Sequence, residues 1–276
     1  MNPAGIRLVV LDIDGTLLTS DKKITPRTRA ALDTARVLGV HVVLATGRRY
    51  PSARPVHEDL GAGKLLVVHN GALVMEAGEA VRCRPLAREA ARRAVLLARE
   101  HGLDPVVHCG QRGEGLLLVE AGARRTGLIA HYLERSREHV REVDDVADLF
   151  EDPMQVMLGG TPESLRGLRA ELGTAVGATA RIERTVYPKS GVEILDVLDA
   201  GVGKAAAVAF LQERLGLTPP ETLAIGDNWN DREMLERAGR GFVMGAADPE
   251  LLALGLPVLP SSDEDGVAIA IEEHVL

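Results

Sequence analysis

Aromatic residues are almost missing from this sequence: three Phe, three Tyr and one Trp among 276 residues. A core must therefore be assembled mainly from Leu, Val, Ile and Ala. Cysteine is equally scarce, and two residues, Cys83 and Cys109, support neither a disulfide framework nor a zinc knuckle. No apolar run approaches the roughly 20 residues that span a bilayer. The stretch Met1–Ile13 is neither basic enough nor apolar for long enough to read as a secretion signal. These absences point to a cytoplasmic protein without a membrane partner. Clustered basic residues with interleaved aromatics are also missing, and the formal net charge is −8, which argues against nucleic acid. The eight histidines are dispersed without metal-ligand spacing and read as structural or surface groups.

What is present is ordinary in bulk and informative in order. Hydrophobic residues make up 46% and charged residues 26% of a chain long enough for two domains. Ile6–Leu11 is a short apolar run ending in Asp12-Ile13-Asp14-Gly15, a buried strand entering a turn. Thr25-Pro26 is an N-cap followed by Pro at the first helical position; Leu32, Ala35 and Leu38 keep helical spacing, and Gly39 ends the helix. Strands are expected at Val40–Ala45, entering Thr46-Gly47-Arg48, and at Leu65–Val68, entering His69-Asn70-Gly71. Continuous apolar strands alternating with helices predict a doubly wound parallel sheet of the α/β class.

Beyond about residue 82 the rhythm changes. Helices are expected at 85–101, 125–138 and 162–172, and strands at 115–119, 155–158, 181–186 and 192–195. This α+β block reads as an insertion. The parallel pattern resumes with a helix at 204–215, a strand at 223–226, a helix at 231–238, a strand at 241–244 and a last helix at 266–275. The expected organisation is a core from 1–82 and 190–276, with an inserted α+β domain at 83–189.

The chemically capable residues follow strands: Asp12 and Asp14, Thr46, Asn70, Asp227. In an open parallel sheet such positions share the carboxyl edge, where ligands bind. The pattern Asp12-x-Asp14-Gly15-Thr16 arises by chance in on the order of one chain in a few hundred. Lys204 opens a helix at its positive end, a poor place for a lysine unless it has a task. Gly226-Asp227-Asn228-Trp229-Asn230-Asp231 packs two acids and two amides into one turn, more than an N-cap requires.

As a set these residues resemble the haloacid dehalogenase superfamily of phosphotransferases. DIDGT at 12–16, Thr46 in ATGR, Lys204 in GVGKAAAV and GDNWND at 226–231 stand in the family's order. Asn70-Gly71 and DGVA at 265–268 extend the likeness, and the long insert resembles the cap of Cof-type (subfamily IIB) phosphatases. The resemblance implies a Rossmann-like core with Asp12 as nucleophile, and Mg²⁺ held by Asp12, Asp227 and the backbone carbonyl of Asp14. Asp231 supports the ion from behind or through a water. Thr46, the Gly47 N–H, Lys204 and Asn230 would hold the phosphoryl group, with Arg48 and Asn70 as further candidate substrate contacts. Lys189 is a rival for the phosphate-binding lysine. Gly203 and Ala205 flank Lys204 where Ser and Gly are common in the family, a departure that touches no reacting group. The inserted cap is expected to close over the site, exclude water and read the substrate.

The physics supports those residue types. A carboxylate approaching a phosphate dianion meets repulsion of roughly 4 kcal/mol per charge pair at 4 Å and an effective dielectric of 20. Cations must offset it, and Mg²⁺ favours carboxylates, waters and phosphate oxygen. Asp14, two residues past the nucleophile, can protonate the departing alkoxide and then activate water. The expected partner is a small phosphorylated metabolite, a sugar phosphate or phosphorylated cofactor. Two alternatives stay open, a phosphomutase and a non-catalytic phosphometabolite sensor, as do a monomer and a homodimer. Arg49, Tyr50 and the Arg-rich helix at 92–99 read as solvated surface.

Overall fold

Four consecutive apolar residues, Leu8–Leu11, form a strand buried on both faces, β1, around which the first unit is built. In the computed structural model, residues 5–123, 127–187 and 190–276 are described. Arg124–Thr126, the Pro188-Lys189 pair and the first four residues lie outside them, and with them the question of Lys189 and the start of the helix expected at 125.

After β1 come α1 (Pro26–Val37), β2 (His41–Ala45), α2 (Tyr50–Leu60), β3 (Leu65–Val68) and β4 (Leu73–Glu76). Thr25 caps α1 as its sequence predicts: the Thr25 hydroxyl accepts the Thr28 N–H at 3.1 Å, with Pro26 in the first turn. Leu32 and Ala35 are buried, whereas Leu38, expected on the same stripe, is the C-cap residue and is exposed.

The middle of the chain contributes β5 (Glu79–Cys83), α3 (Arg88–Glu100), β6 (Val106–Cys109), β7 (Leu116–Glu120), α4 (Gly127–Arg135), β8 (Val140–Val143), β9 (Gln155–Gly160), α5 (Pro162–Val176), β10 (Ala180–Tyr187) and β11 (Val192–Asp199). The last part adds α6 (Lys204–Leu215), β12 (Thr222–Gly226), α7 (Arg232–Arg237), β13 (Arg240–Met244), α8 (Pro249–Leu252), β14 (Val258–Leu259) and α9 (Gly266–His274).

The chain divides into two compact units. The first comprises Met1–Arg48, Ser52–Gly78 and Gly203–Leu276; the second, Arg49–Pro51 and Glu79–Val202. In the first unit the strands stand in the order β14-β13-β12-β1-β2-β3-β4. All these pairings are parallel except β3–β4, which is antiparallel. The core is thus a Rossmann-like α/β sheet of mixed direction. Strand order reverses about β1, between β2 and β12, and that reversal opens a crevice at the carboxyl ends.

The second unit holds a six-stranded sheet, β10-β11-β9-β6-β7-β8, antiparallel except for the β7–β8 pair. One core cluster packs α3 and α5 on this sheet through Ala90, Ala94, Ala98, Leu165, Leu168 and Leu172. The return to the core expected at residue 190 does not occur there. Here β11 pairs along its whole length with β10, so the crossing comes after Val202. An apolar strand looks alike in either sheet, and only its partner assigns it.

One expectation of solvated surface needs correction within this second unit. Arg49 is buried, donates through Nε to the Tyr132 hydroxyl at 2.9 Å and through Nη1 to the Gly115 carbonyl, and lies over the Tyr132 ring. Arg99 joins Glu120 and Asp145. Arg93 pairs with Glu89 one turn earlier on α3. Both keep partly exposed side chains, and Arg92 is exposed, as expected of a solvated face. Both cysteines are free, and no helix among the described residues is long and apolar enough to cross a membrane.

Candidate active site at the carboxyl edge of the core sheet

Parallel register brings the site together. Leu11 at the end of β1 stands beside Ile225 of β12 and Leu44 of β2. The next residues of all three strands, Asp12, Gly226-Asp227 and Ala45-Thr46, therefore share one edge. The Asp12 N–H continues the ladder to the Ile225 carbonyl at 3.1 Å. Thr46 and Asn70 are tied similarly: the Thr46 N–H donates to Val67 and the Asn70 N–H to Thr46, each at 3.0 Å.

At the centre lies a buried lysine. Lys204 Nζ donates to Asp12 Oδ1 and to Asp231 Oδ1, each at 2.5 Å, and its side chain is 0% exposed. The misfit noted at the start of α6 thus has its explanation: two carboxylates, not solvent, hold the charge. Burial would lower the Lys204 pKa, but Asp12 and Asp231 outweigh it and raise it. The other oxygen of Asp231 accepts the N–H groups of Asp227 and Asn228, both at 3.1 Å. Both Asp231 oxygens are engaged by protein donors, and the residue organises the turn that carries Asp227.

Asp12, Asp227 and Asp231 each offer an oxygen within 4.8 Å of the others. One lysine faces three acids there. Burial raises the Asp12 carboxyl to about 7; Lys204 pulls it down, while Asp231 and Asp14 push it up. Asp227 is raised well above the ordinary carboxylate range, first by burial and then by Asp12 and Asp231. The Thr16 hydroxyl donates to Asp227 Oδ1 at 2.8 Å and only partly offsets this. Hard oxygen donors with unbalanced negative charge suit a divalent cation such as Mg²⁺. With Asp231 engaged by Lys204 and backbone, Asp12 and Asp227 are the carboxylates best able to hold it.

Gly15 shows how tightly this pocket is drawn. It has φ +86°, and a Cβ there would overlap the Asp227 carboxylate. The Gly in DIDGT is required both for its left-handed backbone and for that close approach.

The Asp14 side chain does not join the acid cluster. Arg48 grips it with Nε on Oδ2 at 2.6 Å and Nη2 on Oδ1 at 2.7 Å, and Lys22 Nζ adds a bond to Oδ1 at 2.9 Å. Burial pushes this carboxyl up, but the bonds and charges of Arg48 and Lys22 win and leave it at about 2. Asn230 Nδ2 donates to Asn70 Oδ1 at 2.9 Å, while the buried Asn230 Oδ1 has no hydrogen-bond partner. A Cβ on Gly47 would stand 3.0 Å from Asn70 Oδ1, so Gly47, Asn70 and Asn230 are neighbours. The Thr46 hydroxyl accepts the Arg48 N–H at 3.2 Å.

Asp12, Asp227, Asp231 and Lys204 thus form one cluster; Thr46, Gly47, Asn70 and Asn230 form a polar group at the same sheet edge; and Arg48 meets Asp14. Two contributors, Thr16 and Lys22, stand outside the expected set of site residues. Thr16 was visible inside its motif. Lys22 carried no signal, being one lysine in a polar loop.

Comparison with known proteins agrees with this geometry. The family of haloacid dehalogenase-like hydrolases matches residues 9–271. An HMP-PP phosphatase of Serratia proteamaculans is 32% identical over 265 residues, covering 95% of this chain and 93% of its own. That of Klebsiella pneumoniae is 32% identical over 248 residues, covering 90% and 87%. A haloacid dehalogenase-like hydrolase from Bacteroides thetaiotaomicron superposes with TM-score 0.79 at 26% identity, over 97% of this chain and 99% of that one. The subclass IIB sugar phosphatase BT4131 superposes with TM-score 0.79 over 97% and 98% of the two chains; at 22% identity it speaks to the fold alone. The chain belongs to the haloacid dehalogenase superfamily of hydrolases. Within it the chain is a Cof-type, subfamily IIB phosphatase, a phosphoric monoester hydrolase.

Proposed function

We propose that this protein hydrolyses small phosphate monoesters, sugar phosphates or phosphorylated cofactors, through a phosphoryl group carried transiently by Asp12. The observation that carries the reading is the buried Lys204 bridging Asp12 and Asp231, with Asp227 alongside. Lys204 orients the Asp12 carboxylate and lends positive charge where the phosphoryl oxygens arrive. Thr46, the Gly47 N–H and Asn230, whose Nδ2 has a second N–H beyond the one given to Asn70, complete the polar cradle. Asp12 and Asp227, with the Asp14 backbone carbonyl, would hold Mg²⁺, which when bound offsets the phosphate's charge.

In the first step an Asp12 oxygen bonds to phosphorus as the ester P–O bond breaks, and Asp14 gives its proton to the departing alcohol. In the second, Asp14 takes a proton from water, whose oxygen attacks phosphorus; inorganic phosphate leaves and Asp12 is restored. Asp14 must leave the grip of Arg48 and Lys22 before it can serve. Selection among leaving groups is assigned to the inserted unit, together with Arg48 and Asn70.

The test is phosphate release from a panel of sugar phosphates, nucleotides and phosphorylated cofactors, with Mg²⁺ and with EDTA. HMP-PP belongs in the panel because the Serratia and Klebsiella relatives carry its name. Metal-dependent release that disappears in Asp12→Asn supports the reading. Release that survives in Asp12→Asn removes Asp12 as the carrier.

A further inference from the structure

We propose that Lys22 and Arg48 form an anion subsite beside the reacting centre, so that favoured substrates carry a second anionic group on the departing alcohol. The inference rests on the assignment of Asp14 as the group that protonates that alcohol.

Three bonds from two cations converge on one small carboxylate: Arg48 Nε and Nη2 in a fork, and Lys22 Nζ on the Oδ1 atom that Nη2 also uses. The planar face of a guanidinium receives two oxygens of one anionic group at once, and the ammonium adds a point charge beside it. Asp14 is therefore the occupant of an anion-binding fork as much as an acid. To reach an ester oxygen it must turn at least one carboxylate oxygen away from that fork. A neutral alcohol offers nothing in exchange. A carboxylate or a second phosphoryl group on the alcohol does, and it lies within reach because the fork and the departing oxygen are both served by the same short side chain.

The backbone at Lys22 supports a placed residue rather than a stray one. Lys22 has φ +59°, a left-handed conformation that strains a non-glycine residue. The turn is locked by the Lys22 N–H on the Thr19 carbonyl and the Thr19 N–H on the Lys23 carbonyl, each at 2.9 Å. The Thr19 hydroxyl also accepts the Lys23 N–H at 3.1 Å. Gly or Asn would relieve the strain. The lysine that stands there delivers its amine to Asp14.

The experiment compares three esters that differ only at the far carbon: glycerol 3-phosphate, 3-phosphoglycerate and glycerol 1,3-bisphosphate. The wild-type protein with Mg²⁺ is expected to favour one or both charged esters by about 10-fold or more in kcat/KM, the worth of one charge-assisted bond. The carboxylate and bisphosphate arms show which anion the fork prefers. In Lys22→Met that preference should fall by about 10-fold, and Lys22→Arg should recover most of it. A merely structural lysine would lower all three values together. Equal kcat/KM across the three esters in wild type, including none on all three, overturns the subsite; so does an equal fall for all three in Lys22→Met. Turnover of p-nitrophenyl phosphate separates the two readings. If it persists while the ester preference is flat, the subsite alone is wrong; if it is absent, the phosphatase assignment falls and the subsite with it.

Discussion

The two units of this chain bury charge in opposite ways. In the core, Asp12, Asp231 and Lys204 come from three distant segments and meet at one sheet edge, with more negative charge than Lys204 can balance. In the inserted unit buried or half-buried polar groups meet their partners one or two at a time rather than as a cluster of acids. Gln155 on β9 donates to Asp196 on the neighbouring β11 at 2.8 Å, Arg181 holds Glu183 two residues along β10 at 2.8 Å, and Arg49 is taken up by Tyr132 and Gly115. The difference follows from sheet architecture. A parallel sheet that reverses its strand order gathers strand ends into a crevice, whereas a largely antiparallel sheet lays its polar residues beside matched partners. A buried cluster of like charges at a sheet edge is a mark of function; a buried charge met singly by hydrogen-bonding partners is more often a mark of packing.

Substitutions can break that contrast. The largest effect is expected for Asp12→Asn, with phosphate release falling by about 10³-fold or more while circular dichroism stays native. Lys204→Met should lower turnover by about 10²–10³-fold. It also leaves acids buried without their cation, so the loss should reach about 3 kcal/mol, a fall in Tm of roughly 6–12 °C. An unchanged Tm would mean that the acids are relieved by another route.

The metal-free protein offers a test through pH. The Asp12 carboxyl is raised to about 7 in the folded state against 3.8 ordinarily, so the native state keeps a proton that the unfolded chain releases. Its contribution to stability is present below about pH 4 and is lost as the pH rises to about 7. Tm in EDTA should therefore fall across that window. Mg²⁺ at about 100 times its Kd should add about 2.7 kcal/mol and flatten the slope, as differential scanning fluorimetry would show. Asp14 runs the other way: held at about 2, it contributes stability above pH 4 that disappears as the pH falls through 2. The smallest effect belongs to the inserted unit. Tyr132→Phe removes one bond to Arg49 and should cost about 1 kcal/mol, or roughly 2–4 °C. If it lowered p-nitrophenyl phosphate turnover as much as Lys204→Met does, the division between the units would not hold.

Much of the core was legible beforehand. Continuous apolar runs ending in polar turns announced β1, β2, β3 and β12, and Thr25-Pro26 announced α1, because those signals are local. The short strands β4, β6 and β8 were not legible. Each is four residues long, as β1 and β3 are, but Glu76, His108 and the Arg141-Glu142 pair interrupt the apolar run that would announce it, and each exists because a neighbour supplies its ladder. Arg49 misled for the same reason: an arginine in a polar stretch looks solvated until a tyrosine hydroxyl and a carbonyl from other segments surround it.

By itself, the sequence determined the kinds of group available and their positions at strand ends: the aspartates of DIDGT and GDNWND, Thr46 and a lysine at a helix start where dipole physics disfavours it. Those are properties of short segments. Tertiary structure decided how the groups are shared. It set Lys204 between Asp12 and Asp231, engaged both oxygens of Asp231, and turned Asp14 away from the cluster onto Arg48 and Lys22. Such choices depend on distances between residues up to 192 positions apart, and in a buried site an ångström decides which charge is balanced and which is left to bind.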